Sequence, residues 1–202
     1  MRKQLMVLAV AAVAFGTIQA FGATQAANTN TVSPTLVINV TVQKAVSLTL
    51  ATATTCTVNA GGGGDYNINL GNVDALAVNA PTCGNKYAPT TPGTTNAAYY
   101  SDYSITPIFT SQSPTANPTI TAYVSTNFAK ANLTVVQSNS NPGSIAALTA
   151  MSTNVAAQTS VATGAVSGTA LTRYIGVEIA PTNAAGLVGA DNATVTYTLT
   201  VN

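Results

Sequence analysis

The 202-residue chain carries Asp, Glu, Lys and Arg at only 5% of its positions and has no His, where ordinary proteins are about 25% charged. It therefore offers no basic patch able to neutralise several nucleic-acid phosphates, and no Ser-His pair, Cys-His pair or His metal site. So few charges give weak colloidal repulsion, which suits packing against copies of itself or another surface; the plainer reading is adaptation of an exported protein to its medium.

The amino end reads MRKQ, then LMVLAVAAVAFGTI, then QAFGATQAA. A basic start, an apolar run of 14 residues and a small-residue stretch make residues 1–23 a secretory signal peptide, with cleavage between Ala20 and Ala26. The run falls short of the about 20 apolar residues of a spanning helix. No Cys near the cleavage region, no sorting tail and no later apolar segment point to a lipid anchor or an integral membrane segment. The mature chain is expected to be exported. Without Arg2 and Lys3 it carries 4 basic and 5 acidic residues.

Residues 24–34 are polar. From residue 33 the chain reads SPTLVINVTVQKAVSLTLATATTC. Leu36, Ile38, Val40, Val42, Val46, Leu48 and Leu50 occupy every even position, and only Lys44 interrupts them. Strict alternation marks a half-buried strand, but Leu36 to Leu50 would reach roughly 50 Å at about 3.3 Å per residue. Strands usually hold about 5–6 residues. The stretch is read as two strands split at Lys44, residues 35–43 and 45–57, giving an extension over 24–44 and a domain over 45–202. The competing reading is one long strand that bends at a bulge near Lys44 and crosses between two sheets.

GGGGD at 61–65 is a loop, followed by Tyr66, Ile68 and Leu70 alternating in a short strand. Residues 84–98 read as a long loop. Tyr103 and Ile105 begin another strand, followed by a Pro-containing stretch around Pro107, Pro114 and Pro118. Residues 119–126 and 131–137 are two further strands, and SNSNPGS at 138–144 is a turn. Short strands fit Ile145–Met151 and Val161–Val166. TRYIGVEI at 172–179 alternates, PTNAAG at 181–186 turns, and ATVTYTLTV at 193–201 ends the chain with Val195, Tyr197, Leu199 and Val201 on one face. No helical period persists beyond the leader. Many short strands with frequent turn residues predict an all-β antiparallel sandwich.

Cys56 and Cys83 are the two cysteines. In an exported chain an even pair is expected to form a disulfide, and closing a loop of about 28 residues contributes roughly 3.5 kcal/mol in the chain-entropy picture. A redox or metal pair fits poorly with this wide spacing and the absence of His. Glu178, Asp65, Asp74, Asp102 and Asp191 are the acids. None sits in a motif, so neither a glycosidase carboxylate pair nor a calcium loop is indicated, and the reading is that the chain is not an enzyme and holds no metal or cofactor. GGGG lacks the Lys-Ser/Thr of a phosphate loop. Tyr99, Tyr100 and Tyr103 could form an aromatic platform for sugar or, more plainly, core. Asn39, Asn132 and Asn192 stand in N-x-S/T sequons.

CTVNAGGGGDYNINLGNVDAL at 56–76 places a Cys at the end of a strand, then a loop, then a strand ending in Leu-Gly-x-Val. GADNATVTYTLTVN closes the chain after a Gly-Ala-Asp-Asn turn. Together these resemble the subunits of chaperone–usher pili and the related spore coat protein U-like domains. The resemblance implies an Ig-like sandwich lacking one strand, its groove lined by the final strand through Val195, Tyr197, Leu199 and Val201. The donor strand of the next copy would fill it with Leu36, Ile38, Val40 and Val42, one form of strand addition. It further implies a fimbrial, cell-surface location, a role in attachment or biofilm, and assembly with a periplasmic chaperone and an outer-membrane usher. The alternative function is an exported monomeric coat, surface-layer or carbohydrate-binding module.

Overall fold

The computed structural model describes residues 38–41, 43, 45–52, 59–60, 66–110, 117–182 and 187–201. The chain divides into two units, Met1–Val42 and Gln43–Asn202. In the first, residues 38–41 have no regular secondary structure, and Ile38 and Val40 are 77% and 80% exposed. The expected leader, Leu36, Val42, Lys44, Cys56, Asp65 with its glycine run, Pro114 and the centre of the 181–186 turn lie outside the described residues.

Among the described residues 44% are strand and 2% helical, an all-β sandwich-like fold. In order, the strands are β1 (Val46–Thr52), β2 (Asn59–Ala60), β3 (Tyr66–Asn67), β4 (Asn85–Tyr87), β5 (Ala97–Phe109), β6 (Thr119–Thr126), β7 (Leu133–Ser138), β8 (Thr149–Ala150), β9 (Thr159–Thr163), β10 (Leu171–Ile179) and β11 (Thr194–Thr200). A short 3-10 turn, Ile145–Ala147, precedes β8.

Strand β5 organises the larger sheet, whose order is β1-β5-β10-β7-β8. One edge of β5 pairs with β10 over residues 97–105. The other edge is shared: β4 takes Ala98–Tyr100, and β1 takes Tyr103–Phe109. The smaller sheet is β11-β6-β9, and β2 pairs with β3 on either side of the glycine run. All these pairings are antiparallel.

Side-chain parity explains how the sheets stack. Tyr103 and Ile105 on β5, Val135 on β7 and Leu48 and Leu50 on β1 face Ile120, Ala122 and Val124 on β6 and Val161 on β9. That layer is the main core. Further along the same face, residues 70–77 cover Ala97, Tyr99, Val177 and Ile179. On the opposite face Ala98, Tyr100 and Val136 pack under Leu148, with Tyr87, Ile145 and Tyr174 around them.

Three expectations need correction. Residues 84–98 are not one loop: β4 forms at Asn85, and β5 begins at Ala97, six residues before Tyr103. Pro107 lies inside β5, buried and opposite Leu48, rather than in a connection. It is tolerated because its carbonyl accepts from the Gly168 N–H on the side away from β1. A strand residue's N and O point the same way, so the missing N–H removes nothing from the β1 ladder. The alternation at Tyr66, Ile68 and Leu70 also yields only a two-residue strand, Tyr66–Asn67.

Candidate functional site

Alternation in VSLTLAT and TVTYTLT gives β1 and β11 one apolar row each. Among the described residues both are edge strands, paired with one strand only, β5 and β6 respectively. They belong to different sheets and approach each other along one side of the sandwich. The inner row of β11 runs Val195, Tyr197, Leu199, directly beside Val124, Ala122 and Ile120 on β6. The β6 members are 4%, 0% and 0% exposed, while their β11 neighbours are only partly buried. Val201, just past the strand, is buried.

The facing row on β1 behaves in the same way. Leu48 and Leu50 are partly buried beside fully buried Pro107 and Ile105, and Val46 is 56% exposed. Among the described residues, the seam between β1 and β11 is therefore an apolar furrow with no strand paired to the outer edge of either wall. Such an edge recruits another strand unless something blocks it.

The opposite side of the smaller sheet is closed. Arg173 Nε on β10 donates to the Val161 carbonyl of β9 at 2.8 Å, and Asn139 Nδ2 donates to the Ser160 carbonyl at 3.2 Å. The Ser152 N–H donates to Thr159 Oγ1 at 2.8 Å. At the β11 side the two sheets are tied internally by Tyr197, whose hydroxyl donates to that of Tyr103 at 2.9 Å, with the rings edge to face at 5.9 Å.

Asp191 fixes where β11 starts. Its carboxylate accepts the N–H groups of Ala129, Lys130 and Asn192, and Lys130 Nζ donates to the Ala190 carbonyl at 3.0 Å. The Lys130 N–H leads in holding its carboxyl below the ordinary carboxylate range. Asp74 plays a similar part in the loop covering Tyr99. It accepts from the N–H of Leu76, Val78 and Asn79, while Lys86 Nζ donates to the carbonyls of Ala77, Val78 and Asn79. Burial raises the Asp74 pKa, but these N–H groups and the Tyr99 hydroxyl outweigh it, leaving the carboxyl easier to ionise than usual.

Both acids are thus spent on backbone. Glu178 accepts from Asn96 Nδ2 at 2.8 Å, and Asp102 lies beside Tyr174 on β5, four positions out of register with Glu178. Among the described residues no group of three His, Cys, Asp or Glu side chains comes together. Tyr99, Tyr100 and Tyr103 do not make a surface platform: they are 0%, 5% and 6% exposed and point to opposite faces of the sheet. Cys83 is buried with its sulfur 3.3 Å from the Asn69 carbonyl oxygen. Asn39 and Asn192 are exposed, whereas Asn132 Oδ1 is buried without a partner.

These environments set an alkaline limit. Burial, then the hydrogen bond to Asp74, pushes Tyr99 up to about 12, and burial does the same to Tyr103. Burial also raises Tyr100 and Tyr197. An unfolded Tyr ionises near 10, so the stabilisation is fully present below pH about 10 and lost as pH rises through the folded values near 12. Melting temperature is expected to hold to pH about 10 and fall steeply above it, with Tyr99, Tyr100, Tyr103 and Tyr197, four of the eight tyrosines, adding to the absorbance at 295 nm only on unfolding. Ionisation of all eight in the still-folded protein would contradict this burial.

No family model, curated protein or solved structure matches the chain.

Proposed function

We propose that this protein is the structural subunit of an extracellular fibre, secreted to the cell surface, in which residues 35–43 of one copy lie in the β1–β11 furrow of the next. The observation that carries it is the half-buried state of Val195, Tyr197 and Leu199 against the complete burial of their β6 neighbours. An inserted strand supplies the missing apolar row and the missing hydrogen-bond partners together. The extension supplies Leu36, Ile38, Val40 and Val42 at the matching period of two, and Ile38 and Val40 stand exposed.

Burying four such residues is worth roughly 6–12 kcal/mol before association costs. Donor and furrow are different surfaces, so the contact is head-to-tail and extends without closing. The resemblance to chaperone–usher pilus subunits supports the same reading. With it come a Cys56–Cys83 disulfide and assembly through a periplasmic chaperone and an outer-membrane usher.

The test uses the mature chain. Unheated detergent gels should show a ladder of oligomers, and electron microscopy should show thin unbranched fibres. Excess synthetic peptide of residues 33–44, added before assembly, should cap the furrow and leave monomer; the peptide with Ile38→Asp and Val40→Asp should not. A monodisperse monomer at every concentration, indifferent to the peptide, would sink the proposal.

A further inference from the structure

On the outer face of the larger sheet, away from the furrow, a cavity of about 350 Å³ opens between the 88–96 turn and the 3-10 turn before β8. It is lined by Thr90, Thr94, Thr95, Asn96, Ile145 and Glu178. Glu178 is the only glutamate of the chain. We propose that this cavity is a binding site for a neutral saccharide, held by Glu178 and Asn96 through vicinal hydroxyl groups.

The turn carrying the threonines is rigid. Thr91 N–H donates to Thr95 Oγ1 at 2.9 Å, Thr94 and Thr95 N–H both donate to the Thr91 carbonyl, and Thr90 Oγ1 donates to Thr95 Oγ1 at 3.2 Å. The pocket is thereby preformed, which spares a ligand the cost of ordering it. Asn96 Nδ2 fixes one carboxylate oxygen of Glu178 at 2.8 Å. A carboxylate accepts through two oxygens and an amide both donates and accepts, so the pair matches adjacent sugar hydroxyls, which do both. Thr94 adds a hydroxyl, and Ile145 gives the apolar wall against which a sugar ring lays its C–H face.

The charge selects further. No Lys or Arg is among the described residues that line the cavity, so an anionic sugar would meet the Glu178 carboxylate without a cation from them. The volume lies at the lower end of the range for small-molecule sites, about 300–1,000 Å³, and the recess is broadly open to solvent, which suits a single sugar ring laid against it. The site draws on none of the furrow residues, so it stands whether or not the chain polymerises.

The experiment is saturation-transfer NMR on the mature chain with methyl α-mannopyranoside, methyl β-galactopyranoside and N-acetylglucosamine, and glucuronate as the anionic control. At least one neutral sugar should receive saturation and glucuronate none. Glu178→Gln, nearly isosteric, should weaken binding by about tenfold or more, as expected on losing hydrogen bonds to a charged group. Thr94→Val, on an exposed turn, should weaken it less and cannot be mistaken for unfolding. No transfer to any neutral sugar at 10-millimolar order, or transfer unchanged in both variants, would overturn the site.

Discussion

Replacing Ile38 and Val40 together by Asp is expected to abolish fibre formation while leaving the melting temperature of the folded unit unchanged. Both side chains are exposed, at 77% and 80%, so removing them takes nothing from the core of the Gln43–Asn202 unit. On insertion they would instead become buried, and their joint loss forfeits roughly 3–6 kcal/mol, about two to four orders of magnitude in affinity. Two carboxylates forced into an apolar furrow oppose insertion further.

A complementary block lies in the wall. Leu199→Asp should spoil the furrow while its own extension stays competent. Val46→Asp, at a position already 56% exposed, is the milder counterpart should the first disturb folding. Neither class polymerises alone. Mixed in equal amounts, the donor-dead and furrow-dead proteins should form heterodimers and stop there, because one working donor meets one working furrow. Homodimers of either variant, or fibres from the protein with both Ile38→Asp and Val40→Asp, would mean that these residues do not hold copies together.

Much of the smaller sheet and of the seam was legible in the sequence, and the reason is one-sided burial. β6 and β11 each turn one row inward and the other outward, and the predicted strands at 119–126 and 193–201 match them within two residues. The first half of β5 was not legible. Ala97 to Ser101 are buried on both faces, between residues 70–77 on one side and the Leu148 region on the other. With both faces covered there is no alternation to detect, and the period appears only from Tyr103 onward, where the outer face meets solvent.

The site divides on the same line. The β11 row was visible as a pattern; its incomplete burial needs the neighbouring strand for comparison. Asp74 and Asp191 read as isolated loop acids because their partners are backbone N–H groups, which carry no residue signature. The Glu178–Asn96 pair joins residues 82 positions apart, and only the β5–β10 register brings them together.

Gly176→Ala is expected to be the most destabilising single methyl addition in the larger sheet. Gly176 sits at the centre of β10, opposite Tyr100 on β5 and Val136 on β7. A Cβ there would stand 2.1 Å from the Tyr99 carbonyl oxygen and 2.7 Å from Tyr100 Cα and Cβ. Those atoms cannot rotate aside, because the oxygen and Cα belong to the backbone of the strand that both β4 and β10 pair with, and Cβ is bonded directly to it. Nor can the Tyr100 ring be displaced to make room. It stacks on Tyr87 at 5.2 Å, meets Tyr174 edge-on at 6.4 Å and shares a 3.1 Å hydroxyl contact with Tyr87, whose own hydroxyl donates to the Pro142 carbonyl. Relief requires parting the β5–β10 ladder, at about 3 kcal/mol or more, a large share of the roughly 5–15 kcal/mol that holds a domain folded. Urea unfolding should show a lower midpoint at unchanged slope. Gly143→Ala, with nothing within 4 Å of its Cβ, should shift it by less than about 0.5 kcal/mol. Because Gly176 shares β10 with Glu178, a Gly176→Ala protein as stable as its parent would mean that β10 and β5 are not pressed together as described. The register that holds Glu178 against Asn96 would then lose its support, while the seam between β1 and β11, which does not pass through Gly176, would be untouched.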